Sequence, residues 1–82
     1  LEGVIDYVNQ SHNYKIVSAY RPELLYQYEE LFRDYKLRFK RIKQTKVGDH
    51  VTGTWLVQGT RKSHKRFIEH ILHDASVVEF EF

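Results

Sequence analysis

The stretch RPELLYQYEELFRDY, residues 21–35, decides the fold of this chain. Pro22 favours the first turn of a helix, where the N–H group that proline lacks would have no partner in any case. Glu23 follows it, and a negative charge suits the amino-terminal end of the helix dipole. Apolar residues then recur three and four positions apart, which is the spacing of one buried helical face. These residues are Leu24, Leu25, Tyr28, Leu31, Phe32 and Tyr35. The stretch therefore predicts an amphipathic helix over residues 22–35.

Strand patterns lie on both sides of this helix. Residues 12–20, HNYKIVSAY, alternate between two faces as a β-strand does, and so do residues 37–46, LRFKRIKQTK. Ile42 breaks the second alternation, which predicts a bulge near Arg41. A glycine and an aspartate then favour a hairpin turn, and residues 51–59, VTGTWLVQG, form the partner strand.

A second helix and a last strand complete the chain. The helix opens with Thr60 or Ser63 as its N-cap, because both side chains can accept a hydrogen bond from an unpaired backbone N–H. Its predicted buried stripe consists of Phe67, Ile68, Ile71 and Leu72. Residues 76–82, SVVEFEF, alternate as a half-buried strand with Val78 and Phe80 directed inward.

The predicted order is β-α-β-β-α-β within one domain, residues 12–82. Two right-handed crossovers arrange the strands as a four-stranded antiparallel sheet in the order 4-1-3-2, with both helices on one face. This is a ferredoxin-like α+β sandwich. The other face of the sheet stays uncovered, and the alternation assigns to it three apolar residues, Val17, Leu56 and Val77. We expect a second copy or another domain to cover that face.

Composition narrows the possible settings. The absence of cysteine excludes disulfides and thiolate metal sites and favours a reducing compartment. The net charge of +2 is too small to indicate a phosphate-binding surface by itself. Because the chain contains no methionine, we expect it to be a piece of a longer protein. Residues 1–11 are then a lead-in from an upstream region, with Leu1, Val4, Ile5 and Val8 at helical spacing.

Residues 63–74, SHKRFIEHILHD, hold three histidines, two acids and two basic side chains. His70 and His73 are three apart, with Glu69 beside them, so these three are candidates for a weak zinc or nickel site. The spacing differs from H-E-x-x-H, in which the histidines are four apart. We therefore interpret the cluster as solvated surface at the carboxyl end of a helix.

The sequence indicates no chemistry beyond this cluster. Ser63 and His64 are neighbours on a helix, so their side chains diverge and form no nucleophile–base pair. Magnesium prefers clustered oxygen ligands, whereas the acids of residues 29–30 and 79–81 are expected along solvent-facing surfaces. We therefore predict no catalytic residue, no metal and no cofactor, and a chain that is not an enzyme.

Two basic stretches raise the alternative of a nucleic-acid-binding module. Their cationic residues are Arg38, Lys40, Lys43, Lys46, Arg61, Lys62, Lys65 and Arg66. The chain lacks the K/R-G-F-G-F-V-x-F motif of RNA-binding sheets, and its acids nearly cancel the positive charge. We interpret the cations as solvated faces and expect no nucleic-acid partner. Acidic lipid head groups are a further possible contact if a membrane is near.

Residues 21–25, RPELL, resemble the D-x-P-G-L-L-type turn between the first strand and the first helix of ACT domains. The proline and both leucines match, and the likeness in pattern covers residues 13–82. The resemblance implies a regulatory domain with a possible ligand turn. The residues of that turn are Tyr20, Arg21, Pro22 and Glu23. Glu23 stands where the family often has a glycine whose backbone approaches an amino-acid ligand, which argues against effector binding here.

Together with the helical lead-in, the chain looks most like the carboxy-terminal cytoplasmic ACT-like domain of MgtC/SapB-type membrane proteins. The closing residues 67–82, FIEHILHDASVVEFEF, are similar as well. The resemblance implies a non-catalytic role linked to magnesium limitation, a parent protein in the cell membrane, and this domain on its cytoplasmic side. The implied partners are the transmembrane portion of the parent protein or a second copy of the domain.

Two other functions stay open. One is a small-molecule-sensing ACT domain of a soluble enzyme or regulator, which would need ligand contacts between Tyr20 and Leu25. The other is a ferredoxin-like module that binds nucleic acid or metal.

Overall fold

The computed structural model describes residues 9–82. Its elements are β1 (Gln10–Ala19), α1 (Leu24–Asp34), β2 (Arg38–Val47), β3 (His50–Gly59), α2 (Arg61–Leu72) and β4 (Val77–Glu81). The strands form one antiparallel sheet in the order β2-β3-β1-β4, which is the predicted order. The ferredoxin-like α+β arrangement is therefore confirmed. The helix expected within residues 1–8 lies outside the described residues.

Aromatic rings at the centre of the core join both helices to one face of the sheet. Phe32 of α1 is fully buried, and its ring centroid lies 4.6 Å from that of Phe67 on α2 and 5.5 Å from that of Trp55 on β3. Tyr14 of β1 stacks on the same ring at 6.3 Å. Gly53 lies beneath the indole, and a Cβ atom at that position would overlap the Trp55 ring. The sheet can thus hold the Trp55 indole, its largest side chain, only because Gly53 has no side chain.

Three predicted positions are corrected by the packing. Helix α1 begins at Leu24 rather than at Pro22, since Glu23 has φ 65° and cannot continue the helix. Tyr20, the last residue of the predicted first strand, lies beyond the end of β1 and is exposed. Leu72 is exposed because the buried stripe of α2 follows His64, Phe67 and Ile71 instead.

Two bulges set which side chains face the helices. The ladder between β2 and β3 shifts register between Arg41 and Lys43, as the sequence predicted. A second, unpredicted shift lies between β1 and β4, at Val17 and Ser18. It places Val77 against the core and leaves Val78 exposed, the reverse of the prediction, because one extra residue in a strand changes the face of those on one side of it.

The carboxyl end of α1 closes with a Schellman motif. The N–H of Leu37 donates to the Phe32 carbonyl at 2.8 Å, and the N–H of Lys36 donates to the Arg33 carbonyl at 3.0 Å. This pattern requires a left-handed residue after the helix, and Lys36 has φ 60°. The position is one that glycine adopts without the steric cost paid by a residue with Cβ.

We therefore expect Lys36→Gly to stabilise the domain by about 1 kcal/mol, since it relieves a left-handed conformation that costs a non-glycine residue roughly 1–2 kcal/mol. Urea unfolding followed by tryptophan fluorescence measures the change. Lys40→Gly, in the extended backbone of β2, is the matched control and should destabilise the domain. Equal losses in both variants would contradict this interpretation of the helix end.

Candidate functional site

The turn between β1 and α1 holds the residues that the resemblance indicated as a possible ligand turn. Its backbone is fixed at both ends: the Tyr20 N–H donates to the Asp49 carbonyl at 2.7 Å, and the Leu24 N–H donates to the Arg21 carbonyl at 3.2 Å. Between them Glu23 adopts the left-handed conformation that favours glycine. The turn thus keeps a glycine-type backbone while carrying a glutamate side chain.

A small cavity of about 170 Å³ lies at this turn. Residues from the turn, α1, β2 and β3 line it. They are Tyr20, Arg21, Glu23, Leu24, Leu25, Tyr26, Arg41 and Val51. Three of the four expected turn residues are therefore brought together, and Pro22 does not line the cavity. Small-molecule sites usually enclose about 300–1,000 Å³, so this space is below the usual range.

A buried carboxylate anchors the wall of this cavity. Glu29 of α1 is 6% exposed. It accepts hydrogen bonds from the Trp55 indole N–H at 2.8 Å and from Nε and Nη2 of Arg41 at 2.8 and 2.9 Å. The Arg41 guanidinium also lies over the Tyr26 ring, 5.3 Å from its centroid. The arrangement fixes Arg41 in place and leaves little freedom for it to meet a ligand.

The sequence interpretation had placed Glu29 on a solvent face, and that was wrong. Leu25, Glu29 and Phe32 follow the four-then-three spacing of one helical face, so the signal was present in the chain. Burial raises the pKa of the Glu29 carboxyl, but the hydrogen bonds from Arg41 and Trp55 and the charge of Arg41 outweigh it. The net effect is a lowered pKa, so this carboxylate stays ionised at neutral pH.

The second helix contributes a buried histidine to the core. His64 is 2% exposed, its Nε2 lies 2.8 Å from the Gln10 carbonyl oxygen, and its Nδ1 lies 2.5 Å from the Tyr14 hydroxyl. Because a carbonyl only accepts, Nε2 carries the proton and Nδ1 accepts from Tyr14. Burial lowers the pKa of His64 and raises that of Tyr14, which keeps both groups neutral. His64 is thus a structural residue.

The three metal candidates lie together on the exposed end of α2, but each histidine is engaged separately. His73 Nδ1 donates to the Glu69 carbonyl at 2.7 Å, and His70 Nδ1 lies 3.2 Å from the Tyr35 hydroxyl. They line an open depression with Arg66. Within residues 9–82 no group of three or more histidine, aspartate or glutamate side chains is placed to hold a metal ion.

The uncovered face of the sheet is polar and charged. Its described positions on the two central strands are Ser11, Asn13, Lys15, Val17, Thr52, Thr54, Leu56 and Gln58. At one margin β2 adds Arg38, Lys40 and Lys43, and at the other β4 adds Glu79 and Glu81. None of these side chains is aromatic, whereas single-stranded RNA is held on such sheets by stacking on aromatic rings. The face therefore offers no platform for bases.

The fold is that of an ACT domain, as the following comparisons show. The crystal structure of the ACT domain from the GTP pyrophosphokinase of Chlorobium tepidum superposes with a TM-score of 0.71 at 9% identity, over 90% of this chain and 97% of that one. The solution structure of the same domain gives 0.66 at 9% identity, over 89% and 84% of the two chains.

A homoserine dehydrogenase from Thiobacillus denitrificans is also similar in structure. The TM-score is 0.65 at 16% identity, and the match covers 92% of this chain but 17% of the dehydrogenase. No family model and no curated protein sequence matches the chain. At these identities the likeness establishes the fold. Among residues 9–82, no helix is both long enough and apolar enough to cross a membrane.

Proposed function

We propose that this chain is a non-catalytic regulatory and assembly domain, which acts by protein contact rather than by binding an effector at its β1–α1 turn. One observation carries the proposal: Glu23 holds the left-handed conformation of a glycine position while its side chain lines the cavity there. The cavity that remains is smaller than usual ligand sites. The regulatory contact is therefore assigned to the surface of the sheet.

The preferred partner is a second copy, bound through the open face of the sheet. Val17 and Leu56 provide half-buried apolar area near the middle of that face. The cations of β2 and the acids of β4 lie at opposite margins. A two-fold axis parallel to the strands would place the β2 margin of one copy over the β4 margin of the other. Charge complementarity of this kind favours one orientation of association.

The setting we propose is the cytoplasmic side of an MgtC/SapB-type membrane protein, with the transmembrane portion of that protein as the other partner. The support is the resemblance at residues 21–25 and 67–82. A link to magnesium limitation follows from the same resemblance. The domain itself is assigned no magnesium ligand.

A second candidate function is small-molecule sensing within a soluble protein. The specific observation in its favour is the cavity at the β1–α1 turn, where Arg21 and Arg41 lie beside apolar side chains. The similar structures come from proteins named as a GTP pyrophosphokinase and a homoserine dehydrogenase. Enlarging the cavity by Glu23→Gly would test whether only the glutamate side chain separates this turn from a ligand site.

Single-cysteine variants test the assembly proposal directly, because the chain has no cysteine of its own. We expect a bis-maleimide reagent, which spans the roughly 10 Å between two facing sheets, to link Val17→Cys and Leu56→Cys into dimers. Lys62→Cys, exposed on α2, is the matched control and should stay monomeric. If all three variants react with a thiol reagent and none forms a dimer, a second copy does not cover the face. The same variants in a longer parent protein then test its transmembrane portion as the partner.

Amide shifts in NMR spectra separate the two candidate functions. Free amino acids at millimolar concentration should leave the amides of Leu24, Leu25 and Val51 unchanged in the wild type. Saturable shifts there would favour the sensing function over the assembly function.

A further inference from the structure

A second and larger cavity lies at the other end of β1, far along the strand from the β1–α1 turn. It has a volume of about 450 Å³ and opens between the start of β1 and one flank of α2. This volume falls within the range of about 300–1,000 Å³ that small-molecule sites occupy. Neither candidate function above makes use of it.

Aromatic rings fixed by their neighbours form the floor of this cavity. The His12 ring lies 4.1 Å from the His64 ring between centroids, and it stacks on Tyr14 at 5.8 Å with an interplanar angle of 25°. His64 is held in turn by Gln10 and Tyr14. Ile68 of α2 adds an apolar wall. A flat ring can rest on such a floor without any need for the floor to rearrange.

Among residues 9–82, one edge of the strand beside the cavity is only partly paired. β1 pairs with β3 along its whole length, from Gln10 to Ala19. The shorter β4 pairs only with the part of β1 from Lys15 to Ser18. Within residues 9–82, the backbone of residues 10–14 therefore has a strand neighbour on one side only, and the Gln10 carbonyl on this stretch accepts from His64. Backbone groups at such an edge are available to orient a ligand.

Charged side chains of α2 border the cavity. Arg61, Lys65 and Glu69 line it, and among residues 9–82 Glu69 is the one acid in the lining. Within the described part of the chain Lys65 has no ion-pair partner. An ammonium group next to a fixed aromatic floor suits a ligand that combines a ring with a negative charge.

We propose that this cavity binds a small, flat aromatic anion, with its ring against His12 and Ile68 and its anionic group against Lys65. The occupant is a free small molecule, and the site is independent of the face proposed for assembly. It is also distinct from the β1–α1 turn, since the two cavities share no lining residue.

Titration with three probes at equal ionic strength tests the site, with amide and histidine ring shifts as the readout. Benzoate carries both the ring and the charge, benzamide carries the ring alone, and acetate carries the charge alone. We expect saturable shifts with benzoate at residues 10–14 and at Lys65 and Ile68. Benzamide and acetate should bind about tenfold more weakly, which corresponds to about 1.4 kcal/mol. Equal binding of benzoate and acetate would overturn the aromatic part of the proposal.

Two lysines on the same helix give the matched pair of variants. Lys65→Gln should weaken benzoate binding about tenfold, whereas Lys62→Gln, whose side chain does not line the cavity, should leave it unchanged. Both positions are exposed, so both variants should fold and give wild-type spectra without ligand. Identical affinities in the two variants, or benzoate shifts located elsewhere on the domain, would overturn the site.

Discussion

Phe32→Ala is expected to lower the free energy of unfolding by about 3–5 kcal/mol, as for other large-to-small changes of a buried aromatic residue. Phe32 is 0% exposed and contacts the rings of Tyr14, Phe39, Trp55 and Phe67. Its removal leaves a cavity where the ring joins both helices to the sheet. Domains of this size have a total stability of about 4–12 kcal/mol at roughly 0.05–0.15 kcal/mol per residue. The variant should therefore be partly unfolded at physiological temperature.

Urea unfolding at several temperatures, monitored by circular dichroism, measures this loss. Phe82→Ala is the matched control, because that ring is 61% exposed and stacks on Phe80 at the edge of the core. The control should change stability by no more than about 1 kcal/mol. If the two variants melt at the same temperature, Phe32 is not the centre of the core.

Glu29→Ala is expected to cost about 3 kcal/mol, the lower end of what breaking a buried ion pair costs. The change leaves the Trp55 indole N–H and the Arg41 guanidinium without their carboxylate partner. The lower end applies because Arg41 is 25% exposed and can turn partly toward water. Glu30→Ala is the neighbouring control: Glu30 is 68% exposed, and its ion pair with Arg33 is a surface pair worth about 1 kcal/mol or less.

The stability that Glu29 contributes should depend on pH, and its lowered pKa determines the direction of that dependence. A carboxyl whose pKa is lower in the folded state stabilises the fold above its ordinary pKa, here 4.5. That contribution is lost as the pH falls through the folded-state pKa. The difference between wild type and Glu29→Ala should thus be complete at neutral pH and should narrow below about pH 4. A difference that stays constant into acid would show that Glu29 acts by packing alone.

The candidate site shows which of its residues the sequence could indicate and which it could not. The turn at Tyr20 to Glu23 was expected from a resemblance to ACT domains that rests on a proline and two leucines, and the structure brings three of its four residues to one cavity. The role of Glu29 was missed because its partners, Arg41 and Trp55, come from two other strands. A lone acid on a helix is ordinarily exposed. Only those partners offset the free-energy cost of burying its carboxylate.

Local sequence patterns also gave no indication of the larger cavity at the start of β1. His12 and His64 are separated by most of the chain, and their rings come into contact only once β1 lies beside α2. That β4 does not pair with residues 10–14 of β1 depends on its short length and on its register. The sequence contains both histidines but no signal that joins them.

The sequence by itself determined the element order, the strand order and the bulge at Arg41, because hydrophobic periodicity and turn residues are local properties. It also located the apolar rings of the core. The tertiary structure alone decided which of Val77 and Val78 faces the helices, since a bulge depends on the register with a distant strand. It likewise decided that Glu29 is buried and His64 neutral, because the charge state of a buried group depends on partners that the fold brings to it.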